Sequence, residues 1–205
     1  MTAPRAEAFL QGGGGTMVDR FGVWLSGRQI HRHVPTFDGK RIADVGCGFE
    51  ASFTRTVVDR AASTVLVDVA LADDLKQHPR VRAIEGQLPD ALAALPSGEL
   101  DVVLMVSVLE HVADAPRLLS EIRRLLAPGG VALVNVPSWR GKTYLELSAF
   151  RLGLSPAVEM DDHKMYYDVR DLWPLLVSAG FRPSRIKCFS HKFGLNTFAV
   201  CQAGD

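Results

Sequence analysis

Charge of one sign is the first thing the sequence lacks. Its 23 lysines and arginines are matched by 23 aspartates and glutamates, and no block of like charges breaks the balance. A protein that coats nucleic acid needs a basic footprint to displace counterions. That class is therefore disfavoured, and only an RNA-modifying enzyme with a local patch stays open. Cysteine is scarce, and Cys47, Cys188 and Cys201 stand far apart with no C-x-x-C pair. This argues against a disulfide framework or a zinc cluster and for a reducing, cytoplasmic setting. No apolar run approaches the roughly 18 residues of a membrane helix. The opening stretch MTAPRAEAFLQGGGG has no signal-peptide core.

What remains is an ordinary globular composition, 47% hydrophobic and 22% charged over 205 residues, enough for one domain with a sizeable core. Gly12 to Gly15 form a flexible joint, so residues 1–15 are expected to be mobile and 16–205 to fold as one unit. No internal repeat occurs.

Met17, Phe21, Trp24, Leu25 and Ile30 recur at helical spacing, predicting an N-terminal helix over 16–35 that Pro35 and Asp38-Gly39 end. Strands then alternate with helices. RIADV, STVLVDV and RVRAI read as strands; Ser52 to Arg60, a short polar stretch and Pro89 to Leu95 read as the helices after them. LDVVLMVSV is apolar throughout, as a parallel strand covered on both faces must be. Asp114 caps a helix with Pro116 in its first turn and an apolar face of Leu118, Leu119, Ile122, Leu125 and Leu126. Pro128-Gly129-Gly130 stops it, and VALVNVP is the fifth strand.

Residues 139–167 have weak periodicity and are too long for a plain loop, which predicts a lid or insertion. Asp168 to Ala179 reads as a helix that Pro174 must kink or begin. RIKCFSH and FGLNTFAVC, joined near Lys192, predict an antiparallel hairpin. The expected class is α/β, a three-layer Rossmann-like sheet, mostly parallel with an antiparallel C-terminal hairpin and helices on both faces.

The chemistry concentrates in RIADVGCGFEA, residues 41–51. Gly46 to Ala51 satisfy the dinucleotide pattern G-x-G-x-x-G/A. Asp44, two residues earlier, points elsewhere. A carboxylate beside the turn repels a pyrophosphate and attracts a cofactor with an ammonium and a sulfonium. Asp68 ends the second strand, twenty residues after Gly48. A carboxylate there accepts both hydroxyls of an adenosine ribose, which either cofactor carries. The plain alternatives are a tight turn without ligand at 46–48 and an exposed helix cap at Asp68.

Together with the glycine turn, the stretch LDVVLMVSVLEHVADAPRLLSEIRRLLAPGGVALVNVP resembles the class I S-adenosylmethionine-dependent methyltransferases, particularly their small-molecule branch. In that family a fourth strand runs into V-L-E-H-V, an amphipathic helix, L-x-P-G-G and a fifth strand. The likeness covers roughly 40 to 137 closely, and 163 to 201 through the AGF turn and final hairpin. It implies a seven-stranded sheet and S-adenosylmethionine as cofactor, with S-adenosylhomocysteine as product. By the same resemblance Asp44, Gly46, Cys47 and Gly48 hold the methionine end and Asp68 the ribose. Val69 lies along the adenine, Gln87 and Leu88 at its edge, and Ser107 near the sulfonium. Two departures stand out: Gln87 replaces the usual aspartate, and Glu50 replaces the third glycine of D-x-G-x-G-x-G.

Two histidines are candidate bases for an acceptor hydroxyl. His111 follows the fourth strand, although the family carries it whatever the acceptor, which favours a packing role. His163 lies in MDDHKMYY, where the lid returns to the sheet, and is the better candidate. His31, His33, His78 and His191 read as surface residues. Glu110, His111 and His163 lack metal-ligand spacing, so no metal is expected. Gly141-Lys142-Thr143 mimics a phosphate loop, but its first glycine would fall at Val136, so the cradle cannot form.

Trp24, Trp139, Tyr144, Phe150, Met160, Met165, Tyr166 and Tyr167 offer an apolar wall for an acceptor, or simply the lid's own core. Arg140, Lys142, Arg151 and Lys164 offer charge for an acceptor phosphate or carboxylate, or a solvated face. The leading expectation is a small-molecule methyltransferase acting on oxygen, with no nucleic acid and no membrane span. A nicotinamide oxidoreductase, an RNA methyltransferase and a non-catalytic cofactor-binding protein are the alternatives.

Overall fold

The computed structural model describes residues 8, 9, 11, 17–143 and 164–204. Seven strands form one sheet: β1 (Arg41–Val45), β2 (Ser63–Asp68), β3 (Val81–Glu85), β4 (Leu100–Val106), β5 (Leu126–Pro137), β6 (Ile186–His191) and β7 (Asn196–Gln202). Their order is β3-β2-β1-β4-β5-β7-β6. The first five strands are parallel; β7 runs antiparallel to both β5 and β6. Order reverses at β1 and β4, and it is outside the carboxyl ends of such strands that ligands bind in open α/β sheets.

Four α-helices are described over their whole length: α1 (Met17–His33), α2 (Asp73–Lys76), α3 (Ala115–Leu125) and α4 (Val169–Ser178). Asp114 caps α3 by accepting the Arg117 amide at 3.1 Å. Leu118, Leu119, Ile122 and Leu125 are then fully buried against the sheet. Burial of four leucine-sized side chains contributes on the order of 1.5–3 kcal/mol each. The α3/α4 face of the sheet carries Ala43, Val45, Val103, Met105, Val134 and Ala199. The α1 face carries Ile42, Leu104, Leu133, Phe189 and Phe198, packed under Ile30 of α1 and Val34 just after it.

Several local expectations give way. No α-helix covers 52–60; a single 3₁₀ turn, Thr54–Thr56, stands there. The glycine turn therefore has no long helix N-terminus behind it, and its N–H groups go to backbone carbonyls and to the Asp68 carboxylate. The stretch after β3 likewise holds only a 3₁₀ turn, Asp90–Leu92, following a cis Leu88–Pro89 bond. α3 ends at Leu125, and Pro128-Gly129-Gly130 already belongs to β5. There a Cβ on Gly130 would come within 2.7 Å of the Leu100 carbonyl oxygen. Of the two places expected for Pro174, the structure shows the interior one: it lies inside α4, which a capping box of Asp168 and Asp171 starts.

A helix begins at 139 and is described to 143. His163, Tyr144, Phe150, Met160 and Arg151 lie outside the described residues. No helix among the described residues is long and apolar enough to cross a membrane.

Candidate active site

The turn after β1 is built around two left-handed glycines, Gly46 (φ 72°) and Gly48 (φ 75°). A Cβ at Gly46 would meet the Val108 side chain at 2.3 Å, so only glycine fits between the turn and the end of β4. The amides of Gly46 and Cys47 donate to the Val67 carbonyl at 2.7 and 3.4 Å. Asp68 closes the other side. Its Oδ2 accepts the Gly48 amide at 2.8 Å, and its Oδ1 accepts the Val69 amide at 2.7 Å. A carboxylate has about four lone-pair sites, of which these two bonds use two. The Phe49 amide donates to the Phe9 carbonyl at 2.9 Å, which lays this N-terminal residue on the outside of the turn.

Asp44 is buried on the α1 face, at the sheet's centre between Leu66 of β2 and Leu104 of β4. The Thr54 hydroxyl donates to its Oδ2 at 2.5 Å. Among the described residues no basic group pairs with it. Burial pushes its pKa up to about 6; the Thr54 hydrogen bond opposes this, and the nearby Asp68 charge adds to it. A buried carboxylate without a counter-ion is costly. The site therefore fits a cationic group, which the ammonium and sulfonium of S-adenosylmethionine supply.

Glu50, out of place in a glycine-rich turn, has a structural role. Its carboxylate pairs with Arg55 Nη2 at 2.9 Å, and its carbonyl accepts Arg55 Nε at 2.7 Å. Arg55 also pairs with Asp74 at the start of α2. The guanidinium thus ties the turn to the segment after β2, and Ala51, not a glycine, takes the next positive φ at 42°.

Gln87 is followed by Leu88 and the cis proline at the end of β3, where Gly86 donates to the Asp68 carbonyl at 2.9 Å. Ser107 ends β4 in a left-handed conformation (φ 57°), its amide donating to the Asn135 carbonyl at 2.8 Å. His111 closes the 3₁₀ turn Leu109–His111, donating its amide to Val108. Lys164 docks here: its amide donates to the Glu110 carbonyl at 2.7 Å, and its ammonium to the His111 carbonyl. The nine expected cofactor residues therefore gather at the carboxyl ends of β1, β2, β3 and β4.

Aromatic residues expected over the site divide. Tyr166 and Tyr167 are buried, whereas Trp24 and Trp139 remain 52% and 43% exposed. Trp139 is held by Asp168 and Asp171 and lies 5.6 Å from the Tyr166 ring. A cavity of about 590 Å³, lined by Ser138, Arg140, Asp168, Trp173, Ser190 and Thr197, opens on the α4 side of the hairpin. Two strands, β4 and β5, separate β1 and its glycine turn from β7 at this cavity.

Sequence reasoning missed three polar residues on the α1 face. Asn135 of β5 is fully buried, and neither side-chain atom has a hydrogen-bond partner among the described residues. His191 is not a surface residue. Its ring lies edge-on to Phe198 at 5.5 Å, its Nε2 is buried without a partner, and burial with the Lys192 charge lowers its pKa to about 4. Lys192 turns back under α1 in a left-handed conformation (φ 49°). The available signal was the period-two pattern of VALVNVP, which puts one amide among apolar side chains.

Comparison with known proteins agrees with this geometry. Residues 20–184 match the model of the methyltransferase domain family, Methyltransf_23, and the chain belongs to that family. A probable S-adenosylmethionine-dependent methyltransferase of Mycolicibacterium smegmatis is 28% identical over 77% of this chain and 58% of its own length. A ubiquinone biosynthesis O-methyltransferase of Psychrobacter cryohalolentis is 32% identical over 52% of this chain and 44% of its own. The chain thus spans about half the length of these relatives. Among solved structures, a SAM-dependent methyltransferase from Archaeoglobus fulgidus superposes with a TM-score of 0.63 at 14% identity, covering 91% of this chain and all of that one. A Haemonchus contortus phosphoethanolamine N-methyltransferase with bound S-adenosylhomocysteine gives 0.63 at 16%, covering 90% and 54%. These likenesses establish the class I methyltransferase fold, and the family makes S-adenosylmethionine the cofactor.

Proposed function

We propose that this chain transfers a methyl group from S-adenosylmethionine to the hydroxyl oxygen of a small-molecule acceptor. The observation that carries the cofactor half is Asp44, a buried carboxylate with no basic partner among the described residues, beside a turn only glycine can form. When bound, the cofactor supplies an electrophilic methyl on a sulfonium. Asp44 with Gly46, Cys47 and Gly48 would hold its methionine end, and Asp68 its ribose. Val69, Gln87 and Leu88 would flank the adenine. Ser107 ends β4 where the methyl group would point.

Two observations support an oxygen acceptor of small size. The chain is formally neutral, which gives an RNA backbone little to hold. Relatives named for ubiquinone O-methylation are among those it matches. In this reading His163 removes the acceptor proton and His111 is the second candidate, a role worth ~10²–10⁴ in rate. The same reading places the protein in the cytoplasm.

Methyl-label transfer into a metabolite extract, read by mass spectrometry, tests the acceptor. Label on hydroxyl oxygens is expected; label on nitrogen, carbon or RNA would overturn the reading. His163→Ala should lose ~10²-fold or more of that transfer with S-adenosylhomocysteine binding unchanged. The same loss in His111→Ala alone would move the base to His111.

A further inference from the structure

Three polar groups to which no described residue gives a hydrogen bond or ion pair lie on the α1 side of the sheet, toward its β5–β7–β6 end and two or more strands from the cofactor turn. Register places the first. Val106 of β4 pairs with Asn135 of β5, which pairs with Phe198 of β7, and Asp44 pairs with Leu104 one pleat earlier. Asn135 therefore stands in the row that runs out through Gly46, two strands away, a separation of ~10 Å. Its side chain points to the α1 face with Leu133, because residues two apart share a face. An orphaned buried amide costs about 1–3 kcal/mol per lost bond, so it calls for a ligand.

Lys192 supplies the second group. It sits in the β6–β7 turn, beyond the Pro137–Asn196 pair that ends the β5–β7 ladder, and so at the same edge of the sheet. Lys192 and Phe193 both adopt left-handed backbone conformations, φ 49° and 58°, before Gly194. That turn sends the Lys192 side chain inward while Phe193 stays 84% exposed. Its Nζ lies 3.6 Å from the position a Cβ would take on Gly22 of α1. No described residue forms a hydrogen bond or ion pair with it. Burial lowers its pKa to about 8 and Glu110 opposes the shift, so at neutral pH it is an ammonium. Glu110 and His191 are the charged and titratable groups acting on it, and His191 is neutral there.

We propose that Lys192 and Asn135 form an acceptor subsite for an acidic hydroxyl (a phenol, enol or carboxylic acid), holding its oxygen as the anion. His191 forms the wall of that subsite with Phe198. The inference rests on the methyltransferase reading above and names the acceptor class. The Lys192 ammonium attracts an oxyanion and repels a protonated amine, so the charge selects an acidic oxygen over an ammonium-bearing acceptor. The acceptor proton passes to His163 as proposed above, and the oxyanion then forms the bond to the methyl carbon. The carbon–sulfur bond breaks with its electron pair returning to sulfur, so anion and sulfonium become a neutral ether or ester and a neutral thioether. The product has lost the charge that Lys192 holds, which favours its release.

The test uses 4-nitrophenol, whose anion is coloured, titrated by absorbance with the full chain saturated with S-adenosylhomocysteine. Opposite charge within contact lowers an acid's pKa by about 1–3 units. The wild-type protein should keep bound probe coloured at least one pH unit lower than in buffer. Lys192→Met should abolish that shift, and Asn135→Ala should weaken probe binding about tenfold or more. An unshifted titration with wild type, or a full shift in Lys192→Met, would overturn the subsite. Calorimetry with S-adenosylhomocysteine on the same samples separates the two failures: loss of that binding in the wild type would sink the methyltransferase reading itself.

Discussion

The Asp68 carboxylate, at the end of β2, accepts the Gly48 amide at 2.8 Å across twenty residues of chain. The side chain proposed to grip the ribose is thus the same one that shapes the turn proposed to hold the methionine end. Asp68→Ala removes two charge-assisted acceptors at once, from Gly48 and Val69. Each such bond is worth ~1.5–3 kcal/mol. S-adenosylhomocysteine affinity should fall ~10²-fold or more by calorimetry, with a lower melting temperature in the free protein. Unchanged affinity would remove Asp68 from the site.

Cofactor affinity should depend on pH through Asp44. Its folded-state pKa is raised to about 6, above the ordinary 3.8. The cation-binding carboxylate form is therefore complete above about pH 7 and is lost as pH falls through 6, weakening binding up to tenfold per unit. The linkage to stability has the opposite sign: without ligand, the protonated form is favoured by folding, so this group's contribution diminishes as pH rises from 3.8 through 6. Calorimetry between pH 5 and 8 should show that slope in the wild type, and weak, flat binding in Asp44→Asn.

Gly46→Ala should be the most damaging single methyl addition in the turn. The new Cβ would lie 2.3 Å from Val108 Cγ2, and its φ of 72° is strained for alanine. Overpacking and left-handed strain together cost on the order of 2–4 kcal/mol. Thermal denaturation should show the loss, and cofactor binding should fall with it.

Glu50 should prove dispensable where Arg55 is not. The Glu50–Arg55 pair is partly exposed, at 46% and 34%, and such pairs contribute about 0–1 kcal/mol. Glu50→Gln should therefore leave stability nearly unchanged. Arg55→Ala also loses the Glu50 carbonyl and the Asp74 pair, and should weaken cofactor binding more than Glu50→Gln does. Equal effects would show that the turn does not depend on this guanidinium.

Much of the fold was legible in local pattern. α1, α3, α4 and all seven strands follow apolar periodicity, and the short link at Lys192 announces the hairpin. The helices expected at 52–60 and 89–95 were illegible for one reason: short segments satisfy their backbone through side chains and 3₁₀ bonds that periodicity does not report. The turn at Gly46 and Gly48 was readable because left-handed backbone at the end of a strand restricts residue type, and the spacing of Asp44 and Asp68 along the chain set them beside it. Asn135, His191 and Lys192 were not, because each is ordinary in its own segment. Their interest arises only when β5, β7 and α1 are brought together.

By itself the sequence determined the class of fold, the glycine turn after β1 and the overall balance of charge, since these rest on composition and on spacing along the chain. Tertiary structure decided what Glu50 is for: Arg55 reaches back five residues and across to Asp74, a closure no pattern encodes. It also decided where charge is left unbalanced. Burial, not residue type, raises Asp44 to about 6 and lowers Lys192 to about 8, and burial exists only once the sheet and α1 have closed over them.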